Sequence, residues 1–168
     1  MITPDVSALR DRCHLPGTRV LQFAFDGQRD NPHLPENYPT NTAVYTGTHD
    51  NPTTLEWYEE LSDVERRALW SYVHRPGGAS AEAPSELMHL AWSSMAALAV
   101  APLQDLLNLG REGRMNVPGH AAGNWSWRVT EELLSSAAFE WLRDLTGATR
   151  RSEPWPGPTM AARPDTTR

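Results

Sequence analysis

The chain has a single cysteine among 168 residues, so an internal disulfide framework is excluded. No run of about 18 apolar residues occurs, which leaves no candidate membrane-spanning helix. Cationic residues are in deficit, with 15 Lys and Arg against 21 Asp and Glu. That balance argues against a nucleic-acid partner, because attraction for phosphate comes from Lys and Arg. The opening residues Met1-Ile2-Thr3-Pro4-Asp5 have neither the basic region nor the apolar core of a secretory signal, so a cytoplasmic setting is expected. Glycines at 110, 113, 119 and 123 match neither the dinucleotide fingerprint nor the phosphate loop. No Gly-x-Ser-x-Gly elbow is present, and no ligand pair has Cys-x-x-Cys or His-x-x-x-His spacing. Hydrolase chemistry of that type and a zinc centre therefore lack support.

What remains is an alternation of elements. Thr3 followed by Pro4 and Asp5 reads as the start of a helix with Val6, Leu9 and Cys13 on one side, ending at Pro16-Gly17. A helix opening there leaves nothing before it to pack against. Arg19 to Phe25 reads as a strand buried on both faces, stopped by Asp26-Gly27. Pro32, Pro35 and Pro39 make the next stretch a surface connection. Thr42 to Thr46 is a second strand running into the polar turn Gly47-Thr48-His49-Asp50-Asn51. Thr53 with Glu56, and Ser62 with Glu65, have the spacing of capping boxes. A further helix is expected from about Ser85. Leu98 to Leu103 fits either a helix continuation or a third strand, with Pro102 against an unbroken helix.

Residues 110–128 form a long polar loop, and such loops are uncommon without a function. Thr130 is expected to cap a last helix carrying Leu133, Leu134, Trp141, Leu142 and Leu145 on its apolar stripe. The stretch 148–168, with four prolines and four arginines, reads as a disordered tail after a domain spanning 1–147. Strands alternating with helices imply an α/β fold with a parallel sheet.

Taken singly, the chemistry-bearing residues are ambiguous. His49-Asp50 fits a solvated turn as well as a site. Gly123-Asn124-Trp125-Ser126-Trp127-Arg128 joins aromatic faces to hydrogen-bonding groups, which suits a sugar, but both tryptophans also suit packing against the core. Of the other carboxylates, Glu56, Asp63 and Glu112 read as surface charges, and Asp26, at a strand end, as a site candidate.

Read together, five ordered segments narrow the choice: Val20 to Asp26, Asn37-Tyr38-Pro39, Val44 to Asn51, Arg114-Met115-Asn116-Val117-Pro118-Gly119, and Gly123 to Arg128. From residue 2 to about 147 the chain resembles the 4-α-glucanotransferases (amylomaltases, glycoside hydrolase family 77). The resemblance implies the C-terminal portion of a (β/α)8 TIM barrel, about its last three strands and their helices, acting on α-1,4-glucan or maltooligosaccharide. It implies a retaining transfer of a glucan segment to an acceptor sugar, with no metal or organic cofactor. Asp50 then corresponds to the carboxylate that steadies the transition state, and His49, Asn124 and Phe25 to substrate-contacting positions. The family's nucleophilic Asp and acid/base Glu belong to strands preceding the residues matched here. A retaining site needs those two about 5–5.5 Å apart across the scissile bond. The expectation is a truncated product or misplaced start, inactive alone. A non-catalytic glucan-binding fragment and one half of a split enzyme, completed by a missing N-terminal barrel segment, are the alternatives.

Overall fold

The computed structural model describes residues 3–134 and 136–152. Three strands form a wholly parallel sheet in the order β1-β2-β3: β1 is Gly17–Val20, β2 is Thr42–Tyr45 and β3 is Leu98–Val100. Sequential neighbours in a parallel sheet need crossover connections. The second crossover carries α2 (Thr54–Glu60), α3 (Asp63–Tyr72) and α4 (Ala83–Ser93). Helix α1 (Pro4–Arg12) precedes the sheet, while α5 (Leu103–Leu106) and α6 (Ser136–Ala148) follow it. The architecture is α/β, and Leu98–Val100 resolves in favour of a strand.

The core lies where the helices of the second crossover cover the sheet. Val44, Leu69 and Leu87 are fully buried there, with Tyr58 and Trp70 edge to face at 5.9 Å. The Trp70 indole donates to the Tyr58 hydroxyl (2.7 Å), which in turn donates to the carbonyl of Gly78 (3.1 Å). Gly78 is obligatory on space: a Cβ there would run into the Trp70 indole. Ser62 and Glu65 close the expected capping box on α3. At α2 only half of one forms. The Thr53 hydroxyl accepts from the Glu56 amide, but the Glu56 carboxylate is drawn elsewhere.

Several expectations need correction. The first strand starts at Gly17 and stops at Val20, after which Leu21–Phe23 coil into a 3-10 turn. The bend drops Leu21 and Ala24 into the core, turns Phe23 outward at 54% exposure, and lets the Gln22 side-chain carboxamide donate to the carbonyl of Pro52 (3.1 Å). An apolar run thus meant burial, but not extension. Thr130 precedes only a 3-10 turn at Glu131–Leu133, and its side chain makes no cap bond. The helix proper begins at Ser136.

The final helix runs through Ala148, and Arg151 folds back on the end of α4. Its guanidinium donates to the carbonyls of Trp92 (2.6 Å), Ser94 (2.6 Å) and Ala96 (2.9 Å). The Trp92 and Ser94 carbonyls are among the acceptors a helix end leaves without partners, and Ala96 lies just beyond that end. The rest of the expected tail, 153–168, lies outside the described residues. Apolar side chains are left uncovered at several places, α1 and β3 among them. Val6 and Leu9 of α1 are more than half exposed, as is Leu98 on the edge strand β3.

Candidate functional site

The site is built at the carboxyl end of β2, where parallel α/β sheets present their functional loops. Beyond Tyr45 the chain turns through Gly47–Thr53 into α2. Inside this turn the Asn51 carboxamide oxygen accepts from the Thr48 amide (3.0 Å) and hydroxyl (2.7 Å), and the Asn51 amide donates to the Thr48 carbonyl (3.0 Å). His49 and Asp50 stand at its tip with side chains 57% and 54% exposed, and His49 Nε2 lies 3.4 Å from Asp50 Oδ1.

The long loop 110–128 closes over this tip. The Asn116 side-chain carboxamide donates to Asp50 Oδ1 at 2.6 Å, and the Trp125 ring packs against His49 at a tilt of 44° with centroids 5.1 Å apart. Trp125 has a left-handed backbone (φ 60°), between Gly123 (φ 83°) and a hydrogen bond from its own amide to the Met115 carbonyl (2.7 Å). A bulky residue adopts that conformation only when its surroundings enforce it. Asn124 provides much of that enforcement. Its oxygen accepts from the Val117 amide (2.9 Å), and its nitrogen donates to the His120 carbonyl (2.9 Å). The carboxamide is spent bracing the loop.

The loop borders a cavity of about 570 Å³ whose lining includes Glu56, Arg114, Asn116, Asn124, Ser126 and Trp127 and which meets Asp50 only through Asn116. Glu56 is 3% exposed, and its Oε1 accepts from Arg111 (2.9 Å) and Arg114 (3.2 Å). Arg114 also donates to the Asn116 carbonyl (3.2 Å). A chain of contacts therefore runs from α2 through Arg114 to Asn116 and Asp50.

Phe25 is elsewhere. It is buried, packed on Trp57 and Tyr72 at 6.1 and 5.8 Å, and borders a separate cavity of about 490 Å³. Asp26 is exposed and serves its own loop: its carboxylate accepts from the Gln28 amide (2.9 Å), which with a bond from Asn31 holds its pKa below the usual range. So His49 and Asp50 come together, Asn124 joins them through the loop it braces, and Phe25 does not. Sequence reasoning did not single out Asn116 from its Arg-Met-Asn-Val-Pro-Gly segment, and read Glu56 as a surface charge. It also passed over Asp105, a carboxylate among leucines that is 3% exposed and whose pKa is pushed up by burial. Among the described residues no group of three or more His, Cys, Asp and Glu side chains is placed to hold a metal ion.

The family model for 4-alpha-glucanotransferase matches residues 1–135. The chain belongs to the 4-α-glucanotransferase family. It is 49% identical over 156 residues to the 4-alpha-glucanotransferase of Thermus thermophilus, covering 90% of this chain and 31% of that protein. It is 43% identical over 140 residues to the chloroplastic/amyloplastic 4-alpha-glucanotransferase of Solanum tuberosum, covering 83% of this chain and 23% of that one. Among solved structures, the amylomaltase of Streptococcus agalactiae in complex with acarbose superposes with a TM-score of 0.81 at 28% identity, over 89% of this chain and 30% of that one. The chain thus spans less than a third of the length of these 4-α-glucanotransferases.

Proposed function

We propose that these residues supply the last three strands of a (β/α)8 barrel that transfers α-1,4-glucan segments by a retaining mechanism, with Asp50 as the carboxylate that steadies the transition state. The observation that carries this is the state of Asp50. Oδ1 is engaged by Asn116, while Oδ2 takes no protein hydrogen bond among the described residues and the side chain is half-exposed. A carboxylate held on one oxygen and open on the other is suited to accept hydroxyls of a sugar whose ring is gaining positive charge. His49 flanks that position, and Trp125 and Trp127 offer apolar faces that suit the C–H faces of glucose units.

In this mechanism one carboxylate attacks the anomeric carbon while a carboxylic acid protonates the leaving oxygen, and an acceptor sugar then resolves the glycosyl-enzyme. Both groups would come from strands outside these residues, at the free edge of β1. A (β/α)8 barrel has no sheet edge, because its sheet closes on itself. The uncovered α1 and β3 surfaces fit that reading, and a cytoplasmic setting belongs to it.

The test is disproportionation of maltotriose, read as glucose release. The 168-residue chain alone is expected to release none. Mixed with a segment holding the preceding strands of the Thermus thermophilus relative, it is expected to gain activity that Asp50→Asn abolishes. Glucose release by the chain alone would overturn the inactivity, and full activity of Asp50→Asn would overturn the role of Asp50.

A further inference from the structure

The turn that carries His49 and Asp50 has two ends, and one buried carboxylate holds both. Asp105, on α5, accepts from the Thr46 hydroxyl (2.5 Å), from the Thr54 amide (2.8 Å) and from the Thr54 hydroxyl (2.8 Å). Thr46 is the first residue after β2, and Thr54 is the first residue of α2. Everything between them, Gly47 to Thr53, is the site turn. We propose that Asp105 is a positioning residue for the Asp50 turn, clamping its two ends so that the Asp50 carboxylate is presented to the sugar in one geometry. This rests on the reading of Asp50 as the site carboxylate.

Two physical points favour positioning over stability. Replacing a whole buried polar network by well-packed apolar side chains is often neutral for stability, so what this network supplies that apolar packing would not is the geometry it fixes. Second, Asp105 acts at a remove. It borders a cavity of about 230 Å³ with Met88 and Trp141, which shares no lining residue with the two cavities beside His49 and Asn116. Its route to Asp50 is therefore the turn itself. Close placement of reacting groups is worth that investment, because a misplacement on the order of 1 Å can cost about a hundredfold in rate.

The test uses Asp105→Leu, an apolar replacement of similar size, and Asp105→Asn. The readouts on the 168-residue chain are melting temperature, amide hydrogen exchange and binding of acarbose by calorimetry. The informative amides are Thr48 and Asn51, which bond within the turn and not to Asp105. Asp105→Leu leaves the buried Thr46 hydroxyl and the buried Thr54 amide and hydroxyl without their acceptor, so a lower melting temperature is expected, with protection at Val44 and Leu69 unchanged under native conditions. Protection at Thr48 and Asn51 falls at least tenfold and acarbose affinity falls with it. Asp105→Asn keeps an acceptor for the Thr54 amide and is expected to recover most of both. Unchanged turn protection in Asp105→Leu overturns the proposal. Should Asp105→Leu lose protection everywhere, Thr46→Val decides: turn loosening with an intact core supports the clamp, and an unaltered turn overturns it. A parent chain that does not bind acarbose counts against the glucan reading of this segment, while the exchange comparison still decides the clamp.

Discussion

Removing the Glu56 carboxylate should be the most damaging single change near the site. In Glu56→Ala the Arg114 guanidinium, only 19% exposed, loses its anionic partner, and the loop segment at Asn116 loses the anchor behind it. Breaking a buried pair by deleting one member costs about 3–5 kcal/mol. Arg114 retains some contact with water, so the low end, about 3 kcal/mol, is the expected loss. For a chain of this size about 2–4 °C of melting temperature accompanies each kcal/mol, which gives a drop of roughly 6–12 °C. Arg111 bonds the same carboxylate oxygen, but its side chain is 79% exposed. Solvent screens such a pair, so Arg111→Ala should leave the melting temperature nearly unmoved. Differential scanning calorimetry at neutral pH, with and without high salt, separates the two. Salt should erase whatever small effect Arg111→Ala has and spare most of that of Glu56→Ala. A double-mutant cycle of Glu56→Ala with Arg114→Ala should give a coupling above about 1 kcal/mol. Equal losses from Glu56→Ala and Arg111→Ala, or additive Glu56 and Arg114 effects, would refute the argument that burial concentrates the interaction in one of the two pairs.

Three further outcomes are expected. Gly78→Ala forces a methyl group into the Trp70 indole and should cost about 1–3 kcal/mol in urea unfolding, with the slope unchanged. Arg151→Ala strips the end of α4 of its charged donor. It should cost about 1.5–3 kcal/mol, and faster amide exchange near the end of α4 would accompany it. The third concerns acid. His33 Nδ1 accepts from the Val20 amide (3.0 Å), and its pKa is lowered, first by burial and then by Arg19. A lowered folded-state pKa means that its contribution is present above the ordinary value of 6.5 and is lost as pH falls from there through the folded value. His33→Gln should therefore flatten the stability profile on that side of neutrality, and an unchanged slope would show that His33 does not titrate against the β1 bond.

The sequence alone determined the features with local causes. The β2 strand and its polar turn, the Ser62–Glu65 capping box, the breaks at proline and glycine, and the ordered motifs that mark the family each depend on residues a few positions apart. Such signals survive in a linear reading because backbone geometry and capping act over one helical turn or one strand pair. The tertiary structure decided the rest. An apolar run bent at Leu21 because Gln22 and the core drew it there. Asn124 went to bracing a loop, and Phe25 went to the interior. Asp50 met Asn116 across 66 residues, Glu56 met Arg114 across 58, and Asp105 met Thr46 across 59. A carboxylate written in a sequence carries no mark of its partner or its burial. Those are set only when the chain folds and distant donors converge on it, and for a charged group that convergence separates a solvated surface residue from part of a site.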